Sequence, residues 1–241
     1  MQRTGSTNDE ALAWASAGAP HLSLVTANEQ TAGRGRGGRT WITPPGTALA
    51  FSLILRAVGP GPSSGRLAGL GAMAAADACE VLGLQPEIKW PNDVMLNGRK
   101  VAGVLVESRW NGDQLEASVI GVGMNVLAGS APIDAIVSHP ATSLEDILSA
   151  KPDRVQVLRL TVEALLKWLP KMQGAAFLQA WENRLAFRGQ LVRLARDGMQ
   201  DIRGTLEGLE HDGSLRLQGR QGVINVRMGD IHLHPAGDRM G

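Results

Sequence analysis

From Glu87 to Val126 apolar runs alternate with Asn-Gly pairs: "EIKW", "VML", Asn97-Gly98, "RKVAGVLVES", Asn111-Gly112 and "QLEASVIGVGMNV". Asn-Gly between apolar runs favours a type I′ hairpin, because both central residues must take positive φ and few other pairs do so without strain. Consecutive hairpins make a sheet, and the rest of the chain has to extend it or pack on it. Two earlier runs extend it: "HLSLVTAN" reads as a buried strand and "TALAFSLILR" as a second, giving a mixed sheet. Thr7 and Glu10 have capping-box spacing, which predicts a short helix over about Asp9 to Ala17, stopped by Gly18 and Pro20. Ser63 or Ser64 caps a long Ala-rich helix through Leu82, ended by Gly83. Helical periodicity returns over 154–172 and 175–186, with Pro170 and Gly174 between them.

After Arg188 the texture changes to short strands, "QLVRLA", "IRGTLEGL", "SLRLQG" and "GVINVRMGDIHLH", with turn signals at Asp197-Gly198 and Asp212-Gly213. That spacing suits a small barrel, and the tail "PAGDRMG" is expected to be disordered. The expected organisation is an α+β protein with a first domain over 1–186 and a β-barrel over 187–241. A formal net charge of +1 on 241 residues gives no global field to draw the chain onto nucleic acid or an anionic membrane, so any basic function is local. The lone Cys79 cannot form an internal disulfide, and "MQRTGSTNDEALAW" has no apolar signal region, so a cytoplasmic location is expected.

The local basic concentration is "EQTAGRGRGGRTWITPPG", Glu29 to Gly46. Gly33, Gly35 and Gly38 satisfy G-x-G-x-x-G, and Gly33, Gly38, Arg39 and Thr40 nearly satisfy a P-loop. Both motifs work by aiming a following helix N-terminus at a phosphate. Here Pro44 and Pro45 follow, so no helix starts, and an anion would have to be held by arginine side chains and glycine backbone. The loop is therefore a candidate lid. Three other polar clusters fall at expected strand ends or loops: Ser6-Thr7-Asn8, "KWPND" from Lys89 to Asp93, and "GVGMN" from Gly121 to Asn125. Each also has a plain structural reading, as a helix cap, a surface lysine on an edge strand, or a glycine bulge. His232 and His234 share a strand face but lack a third ligand, so no metal site is assigned.

Taken in order, "GSTN", "QTAGRGRGGRTW", "KWPNDVMLNGRKVAGVLVE" and "GVGMNV", followed by a small C-terminal barrel, resemble the biotin protein ligases across nearly the whole chain. The resemblance implies a class II synthetase-like catalytic domain over 1–186 and an SH3-like barrel over 187–241, in the monofunctional form without an N-terminal DNA-binding domain. It implies an enzyme that activates biotin with ATP, accompanied by Mg2+, and transfers it to a lysine of a biotin carboxyl carrier domain. The residue types suit that chemistry. Biotin's ureido ring is neutral and both donates and accepts hydrogen bonds, which calls for uncharged partners. Joining a carboxylate to a triphosphate builds negative charge, which calls for cations.

By match to the family, the catalytic residues are Lys89, Arg36 and Lys100. Biotin contacts fall to Ser6, Thr7, Asn8, Gln30, Arg34, Gly35, Arg36, Lys89, Gly103 and Gly123. Nucleotide contacts fall to Arg34, Arg36, Arg39, Trp41, Asn92 and Asn125. A homodimer is compatible with the resemblance, and neither nucleic acid nor membrane is expected as a partner. Two rivals stand beside this reading. One is a lipoate or octanoate ligase or transferase on the same fold, against which the arginine-loop sequence weighs. The other is a nucleic-acid-binding module, against which weigh the near-neutral charge, the few aromatics and the absence of Tyr.

Overall fold

The computed structural model describes residues 1–56, 63–131, 140–196, 199–227 and 231–235, with residues 195, 196, 199 and 231–235 described by their backbone. In chain order the elements are β1 (Arg3–Thr4), α1 (Thr7–Ser16), β2 (Leu24–Ala27), β3 (Glu29–Gln30), β4 (Ala48–Arg56), α2 (Ser64–Val81), β5 (Pro86–Lys89), β6 (Asp93–Leu96), β7 (Arg99–Asn111) and β8 (Gln114–Asn125). There follow α3 (Leu144–Leu148), α4 (Arg154–Trp168), α5 (Ala175–Glu182), β9 (Leu191–Arg196), β10 (Met199–Leu209), β11 (Leu215–Gly219), β12 (Gly222–Val226) and β13 (Ile231–Pro235). The Asp197-Gly198 turn and the tail beyond Pro235 lie outside the described residues, as do the side chains of His232 and His234.

Six strands form the main sheet in the order β2-β4-β8-β7-β6-β5. The sheet expected as mixed is antiparallel at every ladder, and among the described residues parallel pairing is confined to the two-residue β1/β3 ladder and two isolated bridges. Hairpins account for β5 to β8, since tight turns join only antiparallel neighbours, while the β2–β4 and β4–β8 pairs are joined by longer connections. Asn97 and Gly98 both take positive φ, 51° and 72°, as the first turn requires. The second turn sits one residue later. Asn111 already pairs with Gln114, and Gly112 carries the positive φ.

Alternation along the central strands sorts their side chains onto two faces. Leu49, Phe51, Leu53 and Leu55 of β4 join Val104 of β7, Ile120, Val122 and Met124 of β8, and the small residues of α2 in the main core. Ile54, Ala117 and Val119 face the other way, against Ala11 and Ala15 of α1. The sheet is thus buried on both sides, and the face shared with α1 is the one with glycines and polar groups in its middle.

Ser63 caps α2 through its side chain, and Leu82 and Gly83 end it, as the sequence indicates. At α1 the expected capping box does not form. Ser6 is the N-cap without a side-chain cap bond, Thr7 bonds Gln30, and Glu10 accepts from Thr4 Oγ1 at 2.7 Å. Tertiary partners have taken both members of the box. The helix expected to reach residue 186 stops at Glu182, because the chain beyond it pairs with β5: Ala186 N donates to Ile88 O, and Ile88 N to Arg184 O.

The C-terminal strands form one antiparallel sheet in the order β12-β11-β10-β9-β13, so the run read as a single strand after Gly222 is two. This sheet shares the main core through Leu194, Leu206, Leu209, Leu215 and Leu217. Its β10–β11 turn docks beside the main sheet, where Trp90 Nε1 donates to Gly213 O at 2.9 Å and Ser63 Oγ to Asp212 O at 2.7 Å.

Candidate active site

One rung of the main sheet sets the floor of the site. Ala27, Ala50, Gly123, Gly103, Asp93 and Lys89 stand side by side across β2, β4, β8, β7, β6 and β5. The middle of that rung has almost no side chains, which leaves a trough. Trp41 lies in it, so close that a Cβ on Gly123 would stand 2.3 Å from the indole. Above the trough opens a cavity of about 350 Å3, lined by α1, the arginine loop, β4, β7 and β8.

One end of the cavity is neutral. Gln30 Oε1 accepts from Thr7 N at 2.8 Å and from Thr7 Oγ1 at 3.0 Å, while Gln30 Nε2 donates to Thr43 Oγ1. Asn8 Nδ2 donates to Glu107 Oε2 at 2.6 Å and faces Leu105 O, which fixes Asn8 Oδ1 toward Ser52 Oγ at 2.6 Å. These bonds consume most of what the amides offer. One N–H of Gln30 and one lone pair of Asn8 Oδ1 remain, with the Ser6 hydroxyl, which caps nothing. The residual set both donates and accepts and carries no charge.

The other end is ionic. Lys100 Nζ lies 2.6 Å from Asp93 Oδ1 and 5.4 Å from the centre of a Trp41 ring. A β-bulge brings it there. Val94 pairs with Ala102 but Met95 pairs with Lys100, so Val101 is an extra residue and both Val101 and Ala102 turn into the core. Strict alternation from Gly103 would have turned Lys100 inward; the bulge re-aims it onto the site face. Burial opposes ionisation of Asp93, yet Lys100, with Lys89 and Arg39, outweighs it and holds the carboxyl below the usual range. Burial dominates at Lys89, pushing its pKa down to about 8 against the pull of Asp93, with Lys100 and Arg39 adding to the downward shift.

The arginine loop closes this end as a hairpin. Arg34 bridges Thr40, Gly35 N donates to Arg39 O, and Trp41 N to Gly33 O. Its tip is a single 3-10 turn over Arg36–Gly38, in which Gly37 and Gly38 take φ of 62° and 72°. No helix follows, in accord with the prolines. Arg36 Nη1 donates to Asn92 Oδ1 at 3.4 Å, and Asn92 Nδ2 to Val104 O. Arg34 points elsewhere, its guanidinium bonded to both oxygens of Asp9 and to Glu107.

Residues 1–125 match the model of the biotin/lipoate A/B protein ligase family. The chain is 37% identical over 233 residues to the biotin–[acetyl-CoA-carboxylase] ligase of Paracoccus denitrificans, covering 92% of this chain and 94% of that protein. The chain belongs to this family. It is also 32% identical to the biotin–[acetyl-CoA-carboxylase] ligase of Mycobacterium tuberculosis, over 97% of this chain and 88% of the relative. Among solved structures, the biotin protein ligase of Aquifex aeolicus in complex with biotin and ATP superposes with a TM-score of 0.81 at 27% identity, covering 98% of this chain and 97% of that one.

Against the residues expected for a ligase of this family, the structure gathers Ser6, Thr7, Asn8, Gln30, Arg34, Gly35, Arg36, Arg39, Trp41, Asn92, Lys100, Gly103, Gly123 and Asn125 around one cavity. It does not bring Lys89 to the lining. That amine is buried behind Asp93, 6% exposed, and Lys100 is the lysine presented to the cavity. Asn125 Nδ2 donates to Thr142 O, which ties the end of β8 to the segment over the cavity's rim. Asp93 ends the "KWPND" cluster singled out in the sequence, whereas Ser52 and Glu107 were not singled out. A lone serine in an apolar strand and an acid two residues beyond Leu105 on the site face were the available signals.

Proposed function

We infer that this chain activates biotin with ATP and transfers the biotinyl group to a lysine of a biotin carboxyl carrier domain. A biotin carboxylate oxygen attacks the α-phosphorus of ATP and pyrophosphate leaves. The carrier amine then attacks the acyl carbon of the mixed anhydride, forming the amide and releasing AMP and a proton. The observation that carries the reading is one cavity with two unlike ends, joined to full-length similarity to biotin ligases. The residual donor of Gln30, the acceptor of Asn8 and the Ser6 hydroxyl complement a ureido ring. The cations at the other end complement a carboxylate meeting a triphosphate.

Within this reading Lys100 is assigned to the reacting carboxylate and phosphate, and Lys89 acts behind Asp93 by its charge. Arg36 and Arg39 are assigned to the phosphates, and Trp41 to the wall shared by biotin and nucleotide. The donor set does not fit a resident metal ion: the carboxylate in the lining, Asp93, already holds Lys100, and no cluster of three acidic, histidine or cysteine ligands occurs among the described residues. Mg2+ is therefore taken to enter with the triphosphate as part of the substrate. Residues 1–186 are proposed as the catalytic unit and 187–241 as a small β domain braced on Trp90. Incubation with biotin, ATP and a purified carrier domain tests the function, and the carrier lysine should gain biotin only when all three are present. An unmodified carrier, with a folded enzyme, would reject it.

A further inference from the structure

Arg34 was expected to wait for a phosphate, but its guanidinium is already held. Asp9 Oδ1 and Oδ2 accept from Nη2 and Nη1 at 2.6 and 2.7 Å, and the Glu107 oxygens accept from Nη2 at 3.0 and 3.1 Å. Asp9 belongs to the first turn of α1 and Glu107 to β7, so this pair of carboxylates fastens the base of the arginine loop to both. Glu107 Oε2 also accepts from Asn8 Nδ2 at 2.6 Å. A carboxylate only accepts, so it decides which way the Asn8 amide lies and turns Oδ1 toward Ser52 and the cavity.

We propose that Glu107 is a positioning residue that fixes the neutral wall through Asn8 and, with Asp9, pins Arg34 as the static hinge of the arginine loop. Resting on the biotin-ligase reading, this gives Arg34 and Arg36 different tasks. The loop moves from Gly35 onward, and Arg34 stays where its two acids hold it, whether or not an anion is bound. The raised pKa of Arg34, caused first by its bonds to Asp9, agrees with a permanently ionised pin.

Three variants separate the two tasks. Glu107→Gln keeps an acceptor for Asn8 but turns a donor toward Arg34; Glu107→Ala removes both; Asp9→Asn, at a largely exposed side chain, weakens only the pin. Each is measured for the KM for biotin and kcat in biotin-dependent pyrophosphate exchange, for biotin appearing on bystander albumin, and, without any substrate, for the rate of tryptic cutting after Arg36 and Arg39. Glu107→Ala should raise the KM for biotin about tenfold, more than it lowers kcat. Glu107→Gln should recover most of that KM. All three should cut faster in the loop, and Glu107→Gln and Asp9→Asn should label albumin more than wild type does. The proposal is overturned if Asp9→Asn and Glu107→Gln are cut at the wild-type rate, or if Glu107→Gln is as impaired in KM as Glu107→Ala. Trypsin cutting without substrate decides the hinge even if wild type shows no exchange with biotin, which would count against the functional reading instead.

Discussion

At the neutral end of the cavity most polar atoms are bonded inside the protein before any ligand arrives, whereas at the ionic end Lys89, Lys100 and Arg39 act on the carboxylate of Asp93 and Arg36 reaches Asn92 beside it. The first end can recognise by what is left over, a few oriented valences whose mismatch leaves buried groups unpaired. The second recognises by surplus charge, which is relieved when an anion enters. On the proposed function, the neutral end is expected to govern which acid binds, and the ionic end how fast that acid is activated.

The largest effect should fall on rate and on Lys100. Lys100→Ala is expected to slow adenylate formation by about a hundredfold or more, and Lys89→Ala by a clearly smaller factor, since its amine stands behind Asp93. Single-turnover rates at saturating biotin would show it, and equal losses would erase the distinction between the presented and the buried lysine. Arg36→Gly should still make biotinyl-adenylate but release it, because a closed loop keeps a mixed anhydride from water. Blotting a bystander protein for biotin beside wild type reads this directly, and an inactive variant would make the loop part of the chemistry.

At the neutral end the expected effect is on binding. A Cβ at position 121 would stand 2.2 Å from Asn8 Oδ1, so Gly121→Ala should displace the amide and raise the KM for biotin roughly tenfold, with the KM for ATP little changed. A parallel rise in both would mean the two ends are not separate. The smallest effect concerns stability. Lys89 loses its proton near pH 8 in the folded chain and near 10.5 when unfolded, so between these values the unfolded state binds more protons and folding gains with rising pH. Below that window the burial penalty is constant. From about pH 7.5 to about pH 9 wild type should gain about 1 kcal/mol relative to Lys89→Met, measured by urea unfolding at each pH.

Much of this was legible in the sequence because local rules agreed with the fold: Asn97-Gly98 forced its hairpin, Ser63 capped its helix, and Pro44-Pro45 kept a helix from the arginine loop. The Thr7 capping box failed because Gln30, which follows it in the chain by 23 residues, competes for the same atoms. Which of Lys89 and Lys100 faces the cavity was not legible, because a one-residue bulge decides it and a bulge leaves no strong mark in an apolar run. The short α3 was missed although Ser143 and Asp146 form a true capping box, since only five residues follow the cap. Glu107 and Ser52 were invisible for a different reason: their importance lies in whom they touch across the sheet.

The measurement that bears most directly on the division of the cavity is isotope exchange between pyrophosphate and ATP, driven in turn by biotin and by lipoate. A neutral wall built for a ureido ring predicts exchange that depends on biotin and is absent with lipoate at the same concentration. Exchange driven by lipoate, or by neither acid in a folded sample, would contradict it.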